Sequence, residues 1–199
     1  MLRACGYTLE EIVREVKGDK RVKGTKYGRP YFALADRVTF PLILEGFVTN
    51  FYGRATWSSK KFKHTKLSIQ DGAYCHGGFN MQVLNEDCEE VIAAESVIDA
   101  LSLIQSGHKS VIAFLSVTNY AVLESVMGAQ KPLALALNND KAGKEAAERM
   151  MKYFGDMEYE FPIRNFSEQF FAEHGDSGGL ITDYNEWWKL RQNSADSIT

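Results

Sequence analysis

The sequence predicts an α/β protein: a parallel sheet with helices on both faces, preceded by a small basic α+β region. Three observations carry this. From residue 91 onward, short apolar runs (VIAA 91–94, SVIAFL 110–115, PLALAL 132–137) alternate with helical stretches of about 10–15 residues, the rhythm of strands joined by crossover helices. Before them, "RVTFPLILEGFVTNFYGRATW" (37–57) has two β-branched and aromatic runs around Glu45-Gly46, the form of a hairpin. Finally, the charge divides: residues 1–66 hold 14 Lys/Arg against 6 Asp/Glu, and residues 67–199 hold 9 against 20.

Taken in order, "TLEEIVREV" (8–16) reads as a short helix, with Thr8 able to cap it and Leu9, Ile12, Val13 and Val16 forming an apolar stripe. The basic, glycine-containing stretch 17–32 reads as loop or irregular strand. In the hairpin, Pro41 predicts an edge position or an irregularity for the first strand. Residues 58–68 read as an exposed basic loop, and 72–84 as a short strand turning into a helix. VIAA precedes a helix over 96–107 closed by Gly107, SVIAFL precedes one over 118–128 closed by Gly128, and PLALAL precedes one over 141–155. "MEYEFPI" (157–163) reads as a fourth strand, "TDYNEWWKLRQ" (182–192) as a last helix, and 193–199 as a frayed tail.

Composition excludes several classes. The chain has 199 residues, 45% of them hydrophobic and 25% charged, which is ordinary for a globular protein with a real core. Cys5, Cys75 and Cys88 are widely spaced and form no CxxC pair, so neither a structural zinc site nor a disulfide framework is expected. No apolar run reaches membrane-spanning length and the N-terminus carries acids, so a reducing, cytoplasmic setting with no membrane contact is the expectation. A net charge of −3 argues against a simple basic nucleic-acid binder. A basic half joined to an acidic half suits an enzyme in which one part grips phosphates and the other gathers divalent cations.

In an open α/β sheet the site lies beyond the carboxyl ends of the strands. Glu95 follows VIAA there, with Asp99 four residues on, and Asn138, Asn139 and Asp140 follow the third apolar run. A later polar stretch offers Asp176, Asp183 and Glu186. Hard oxygen donors of this kind suit Mg²⁺ or Mn²⁺, with phosphates completing the shell. Each acid also has a plain structural explanation: Glu95 as a first-turn acid, Asp140 and Asp183 as helix caps, and Trp187 and Trp188 as core or docking side chains.

"VIAAESVIDALSLIQSGHKSVIAFLSVTN" followed by "LALALNNDKAGKEAAERM" resembles the TOPRIM domain of bacterial DnaG-type primases, in which one strand ends in Glu-Gly-x-x-Asp and a later one in Asp-x-Asp. The family's acids fall on Glu95, Asp99 and Asp140. The first acid of Asp-x-Asp falls on Asn138, and the glycine of the first motif on Ser96, two departures from the pattern. The Phe-Pro hairpin ending in Gly53-Arg54 resembles the segment that precedes TOPRIM in primases. Asp183-Tyr184-Asn185-Glu186 resembles a late acidic element of TOPRIM modules in primase-like proteins of mobile elements. The resemblance implies a shortened basic subdomain over 1–85, a TOPRIM domain over 86–192 and a flexible tail over 193–199, a minimal core of mobile-element type.

The resemblance also implies metal-dependent synthesis of short RNA primers on single-stranded DNA from ribonucleoside triphosphates, with Mg²⁺ or Mn²⁺ as cofactor. Glu95 would be general base or metal organiser, Asp140 and Asp183 ligands with the Asn138 amide oxygen, and Asp99 an electrostatic support. Arg54, Lys60, Lys61, Lys63 and Lys66 would line the track for template and nucleotide phosphates. A helicase or a separate zinc-binding module would supply what the family carries outside this core. Two alternatives stand beside it: a TOPRIM metal-dependent nuclease, and a non-catalytic DNA-binding or replication-regulating protein that tolerates Asn138 and Ser96.

Overall fold

The computed structural model describes Leu34 and residues 37–56, 63–67, 77–116, 118–174 and 181–196. The helix expected over 8–16 and the basic stretch 17–32 lie outside the described residues, as do Lys60, Lys61 and Asp176. The chain divides into two compact units, Met1–Phe40 with Asn50–Cys75, and Pro41–Thr49 with His76–Thr199.

The hairpin is present as expected. Strands β1 (Arg37–Leu44) and β2 (Phe47–Ala55) are joined by Glu45 and Gly46, both with positive φ (50° and 82°). This is the mirror-image two-residue turn whose twist matches a hairpin, and it explains a glycine at its second position. Strand order β1-β2-β3 leaves β1 at an edge, where a proline without an N–H is tolerated. In the smaller unit, β2 pairs antiparallel with β3 (His64–Lys66), Arg54 facing His64 and Tyr52 facing Lys66. The basic loop expected over 58–68 therefore contains a strand. Asn50 fixes its far end, accepting from the Leu67 amide and donating to the Leu67 carbonyl, both at 3.1 Å. Charge along a short edge strand is a common guard against further pairing, which is why this strand reads as loop.

The larger unit contains the parallel sheet. Its elements are β4 (Val91–Ala94), α1 (Val97–Gln105), β5 (Val111–Ala113), α2 (Tyr120–Gly128), β6 (Leu133–Ala136), α3 (Lys141–Asp156), β7 (Ile163–Asn165), α4 (Phe166–Glu173) and α5 (Tyr184–Asp196). The strands lie in the order β5-β4-β6-β7, all parallel, with Ala94 in register with both Ala113 and Ala136. Strands β4, β5 and β6 bury both faces, which is why each is a continuous apolar run, whereas β7 at the edge is only half-buried. Val91, Ala93, Ile112, Leu133 and Leu135 pack with Val122, Leu123 and Val126 of α2 and Met150 and Phe154 of α3. Ile92, Ala94, Ala134 and Ala136 face the other way, where their small side chains admit Phe166, Phe170 and Phe171 of α4 and Tyr184 and Trp187 of α5. Fully burying one such Leu or Phe contributes about 2 kcal/mol, so helices cover both faces.

Four expectations need correction. The fourth strand is not 157–163 but Ile163–Asn165. The chain leaves α3 through Glu158 (φ 55°), and Tyr159 turns back onto Phe154, its hydroxyl donating to the Lys131 carbonyl. The next residues, read as a polar stretch, form α4: Asn165 caps it by accepting from Glu168 N, and the Phe166/Phe170/Phe171 stripe buries it. Gly107 (φ 109°) follows α1 as expected, but Gly128 does not close α2; the left-handed residue after that helix is Gln130 (φ 52°). Helix α5 continues through Asp196, into the stretch expected to fray. Residues 78–85 form a bridge, a left-handed Asn80 and a 3-10 turn, close to the strand and turn read there. Among the described residues, no helix is long and apolar enough to cross a membrane.

Candidate active site

Glu95 is half-buried directly beyond β4, at the carboxyl edge of the sheet. Ser96 begins α1: its hydroxyl oxygen accepts the Asp99 N–H at 3.2 Å and donates to Asp99 Oδ2 at 2.5 Å. Asp99 is only 6% exposed, and the backbone N–H groups of Tyr184 and Asn185 lie near enough to favour its charged form. The Asp99 carboxylate thus sits between the first turn of α1 and the first turn of α5. The Ser96-x-x-Asp99 spacing is that of a capping box, a signal present in the sequence at the position where the resembled motif has glycine.

Asp140 caps α3, with Oδ1 accepting the Gly143 N–H at 2.7 Å. Asp183 caps α5, with Oδ1 accepting the Glu186 N–H at 2.7 Å, while Glu186 reaches back to the Thr182 N–H. Both structural explanations of these acids therefore hold, and each accounts for one oxygen of its carboxylate. Asn139 brings the two loops together: its N–H donates to the Thr182 carbonyl at 2.8 Å, and its buried side-chain amide reaches Ile181 O at 3.4 Å. Behind them, the buried Tyr184 hydroxyl donates to Ser167 Oγ at 2.8 Å, and Ser167 donates to the Leu137 carbonyl at 2.5 Å. The sequence places Asn139 and Tyr184 beside the acids without showing their clamping role, and Ser167 escapes it altogether, because the clamp depends on loops far apart in the chain. Asn138 stands half-buried between Leu137 and this clamp.

The acids repel one another. Burial pushes the Glu95 carboxyl above its usual range, and the charges of Asp99 and Asp140 push it further. Burial likewise raises Asp99; the Ser96 hydrogen bond opposes this, Asp183 adds to it, and the Asn185 and Tyr184 N–H groups oppose it again. Glu95, Asp99, Asp140 and Asp183 are therefore one electrostatic cluster drawn from three separate chain segments, with no Lys or Arg contributing to either shift. Among the described residues, no three His, Cys, Asp or Glu side chains are gathered closely enough to hold a metal ion. One or two of these carboxylates would suit only a hard cation that keeps several waters and takes phosphate oxygens from a substrate, the usual habit of Mg²⁺.

Of the basic candidates, Arg54 is half-buried on β2, while Lys63 and Lys66 are exposed at β3. They belong to the smaller unit, and the acids to the larger.

The Toprim-like family model matches residues 92–170, the span that holds the parallel sheet. The likeness narrows further. A DNA primase of Pseudomonas aeruginosa is 24% identical over 136 residues, 66% of this chain and 20% of that protein. The zinc-binding and RNA polymerase domains of Aquifex aeolicus primase superpose with a TM-score of 0.59 at 19% identity, covering 86% of this chain and 47% of that one. The DnaG primase catalytic domain bound to single-stranded DNA gives 0.56 at 20% identity, covering 77% and 49%. The chain contains a Toprim-like domain and resembles the catalytic cores of DnaG-type primases, while spanning about a fifth of the length of the curated primases it matches.

Proposed function

We propose that this chain carries out primase-type nucleotidyl transfer, the metal-dependent synthesis of short RNA primers on single-stranded DNA. The observation that carries the proposal is the placement of Glu95, Asp99, Asp140 and Asp183 at one sheet edge, where burial and neighbouring acids raise Glu95 and Asp99, on a fold shared with primase cores. A cluster of uncompensated carboxylates disfavours the empty protein and favours a bound cation. Glu95 and Asp140, which couple electrostatically, would be the first donors to Mg²⁺ or Mn²⁺, with waters and substrate phosphates completing the shell and Asp183 and the Asn138 amide oxygen as further candidate donors. When bound, the cation lowers the pKa of the primer 3′-OH and offsets charge on the triphosphate and the leaving pyrophosphate. Glu95, directly beyond β4, is the group suited to accept the 3′-OH proton. Asp99 acts as a positioning residue, fixing α5 and thereby Asp183. Arg54, Lys60, Lys61, Lys63 and Lys66 would grip template and nucleotide phosphates without sequence preference, so binding should weaken steeply with salt. A helicase or a zinc-binding module on another chain segment or protein would select the template, in a cytoplasmic setting.

The test is primer synthesis on single-stranded DNA with ribonucleotides and Mn²⁺, comparing the chain with Glu95→Gln. Loss of products in the variant supports the assignment; products unaffected by the substitution overturn it. Nucleotide release from the DNA without synthesis would favour a nuclease. Asn138 favours one further reading, a DNA-binding protein without catalysis: an amide ligates but adds no negative charge. Retained single-stranded DNA binding with no Mn²⁺ uptake would support that reading.

A further inference from the structure

The amino-terminal edge of the sheet carries a second, chemically different feature. Between the end of α1, α4 and α5 lies a cavity of about 380 Å³, lined among others by His108, Phe170, His174, Trp187, Trp188 and Arg191. His108 lies in the α1–β5 connection, whereas Glu95 and Asp140 leave the carboxyl ends of β4 and β6, so the cavity and the acids occupy opposite edges of the parallel sheet.

The lining combines flat rings with cations. Phe170 and Trp187 are buried and form its floor, with ring centres 4.7 Å apart and nearly perpendicular. His174 stacks on Phe170 at 4.3 Å and meets Trp187 edge-on at 4.8 Å. Trp188 is only half-buried, 5.9 Å from Trp187, and so presents ring surface at the rim. The Arg191 guanidinium lies 5.3 Å over the Trp187 ring and has no ion pair among the described residues. Arg164, also lining the cavity, is different: its guanidinium makes a two-pronged pair with Glu90, which leaves Arg191 as the available fixed charge. Only Glu173 is acidic in the lining, and its carboxylate accepts from Gln169.

We propose that this cavity binds one nucleotide unit, with the base against Trp188 and the exposed ring surface, and the phosphate at Arg191 and His174. The size falls within the roughly 300–1,000 Å³ of small-ligand sites. Ring faces beside a guanidinium form the platform on which bases stack irrespective of sequence. The unit is supplied either by a free nucleotide or by a single strand threaded past α5.

Calorimetric titration of the full chain in EDTA, which removes cation-held phosphate at the acidic edge, tests the proposal with AMP, ribose 5-phosphate and an oligothymidylate. AMP should bind at least roughly tenfold more tightly than ribose 5-phosphate, and Trp188→Ala and Arg191→Ala should each weaken binding roughly tenfold with the melting temperature retained. Trp188→Phe, which keeps a ring, should restore most of the loss. Binding of AMP, with or without the oligonucleotide, that is weakened by the alanine variants identifies a free-nucleotide site; binding of the oligonucleotide alone, weakened by the same variants, identifies a single-strand path. Absence of binding by both, equal binding of ribose 5-phosphate and AMP, or indifference to both alanine variants overturns the proposal.

Discussion

Gly143, in the first turn of α3, is pressed against the backbone of Asn138: a β-carbon at 143 would lie 2.0 Å from the Asn138 carbonyl oxygen and 2.7 Å from its carbonyl carbon. The helix that Asp140 caps therefore approaches the strand end so closely that only glycine fits, and the same approach sets the position of the Asp140 carboxylate. Gly143→Ala should destabilise the protein by about 2–4 kcal/mol, a drop of roughly 5–10 °C in Tm, because backbone atoms rather than a flexible side chain must move. Gly155, at the other end of the same helix, has nothing within 4 Å of its β-carbon position. Gly155→Ala should be neutral or stabilising by up to about 1 kcal/mol. Thermal melts of the two variants check the contrast; equal effects would refute the close-approach explanation.

Glu95 gives the pH dependence a definite sign. Its carboxyl is raised above the ordinary value of 4.5, so the folded chain holds this proton more tightly than the unfolded chain does. The corresponding stability is fully present below the ordinary value and is lost as pH rises through the raised one. Without divalent cations, Glu95→Gln should be more stable than the parent at pH 7.5, by a few degrees in Tm, with the gap narrowing as the pH falls toward 5. Excess Mn²⁺ should reverse the order, stabilising the parent and leaving the variant unmoved. Melts across pH in EDTA and in Mn²⁺ read both effects.

The parallel sheet was legible because doubly buried strands write themselves as runs such as VIAA and LALA, and α1 and α3 carry their own caps in Ser96 and Asp140. Glu95 and Asp140 were legible for the same reason: each directly follows such a run. What escaped was tertiary. Ile163–Asn165 is too short and too mixed to announce a strand, and α4 hides in a stretch whose Glu168, Gln169 and Glu173 face outward while Ser167 and its three phenylalanines face in. The strand His64–Lys66 is specified by the Asn50 side chain, from the neighbouring strand, rather than by its own composition. Ser96 reads as a departure from a motif, yet it caps the helix and holds Asp99.

The hydrogen-bond chain Tyr184–Ser167–Leu137 anchors α5 to the end of β6 in a fully buried setting. Tyr184→Phe removes one donor but leaves Ser167 its bond to Leu137, so it should cost about 1 kcal/mol. Ser167→Ala leaves both the tyrosine hydroxyl and the Leu137 carbonyl without their partner and should cost more, about 2 kcal/mol. Because α5 carries Asp183, Ser167→Ala should also weaken Mn²⁺ binding, whereas Tyr184→Phe should change it less. Denaturant melts with a parallel Mn²⁺ titration separate the two, and an unchanged Mn²⁺ affinity in both would detach this chain of bonds from the site.

Asn138→Asp tests the departure at the centre of the acidic edge. Position 138 lies next to the clamped Asn139 and two residues from Asp140, so a carboxylate there adds charge to a cluster that already raises Glu95. The cation-free variant should be less stable at pH 7.5 by a few degrees and should regain that stability on acidification, as like charges are neutralised. With a cation present the sign inverts: a charged oxygen donor replaces a neutral one, and Mn²⁺ should bind roughly tenfold more tightly, a gain limited by solvent screening. If primer synthesis is limited by cation occupancy, product formation at low Mn²⁺ should rise in step and converge with the parent at saturation. Unchanged Mn²⁺ affinity together with unchanged melting would mean that residue 138 faces away from the bound ion.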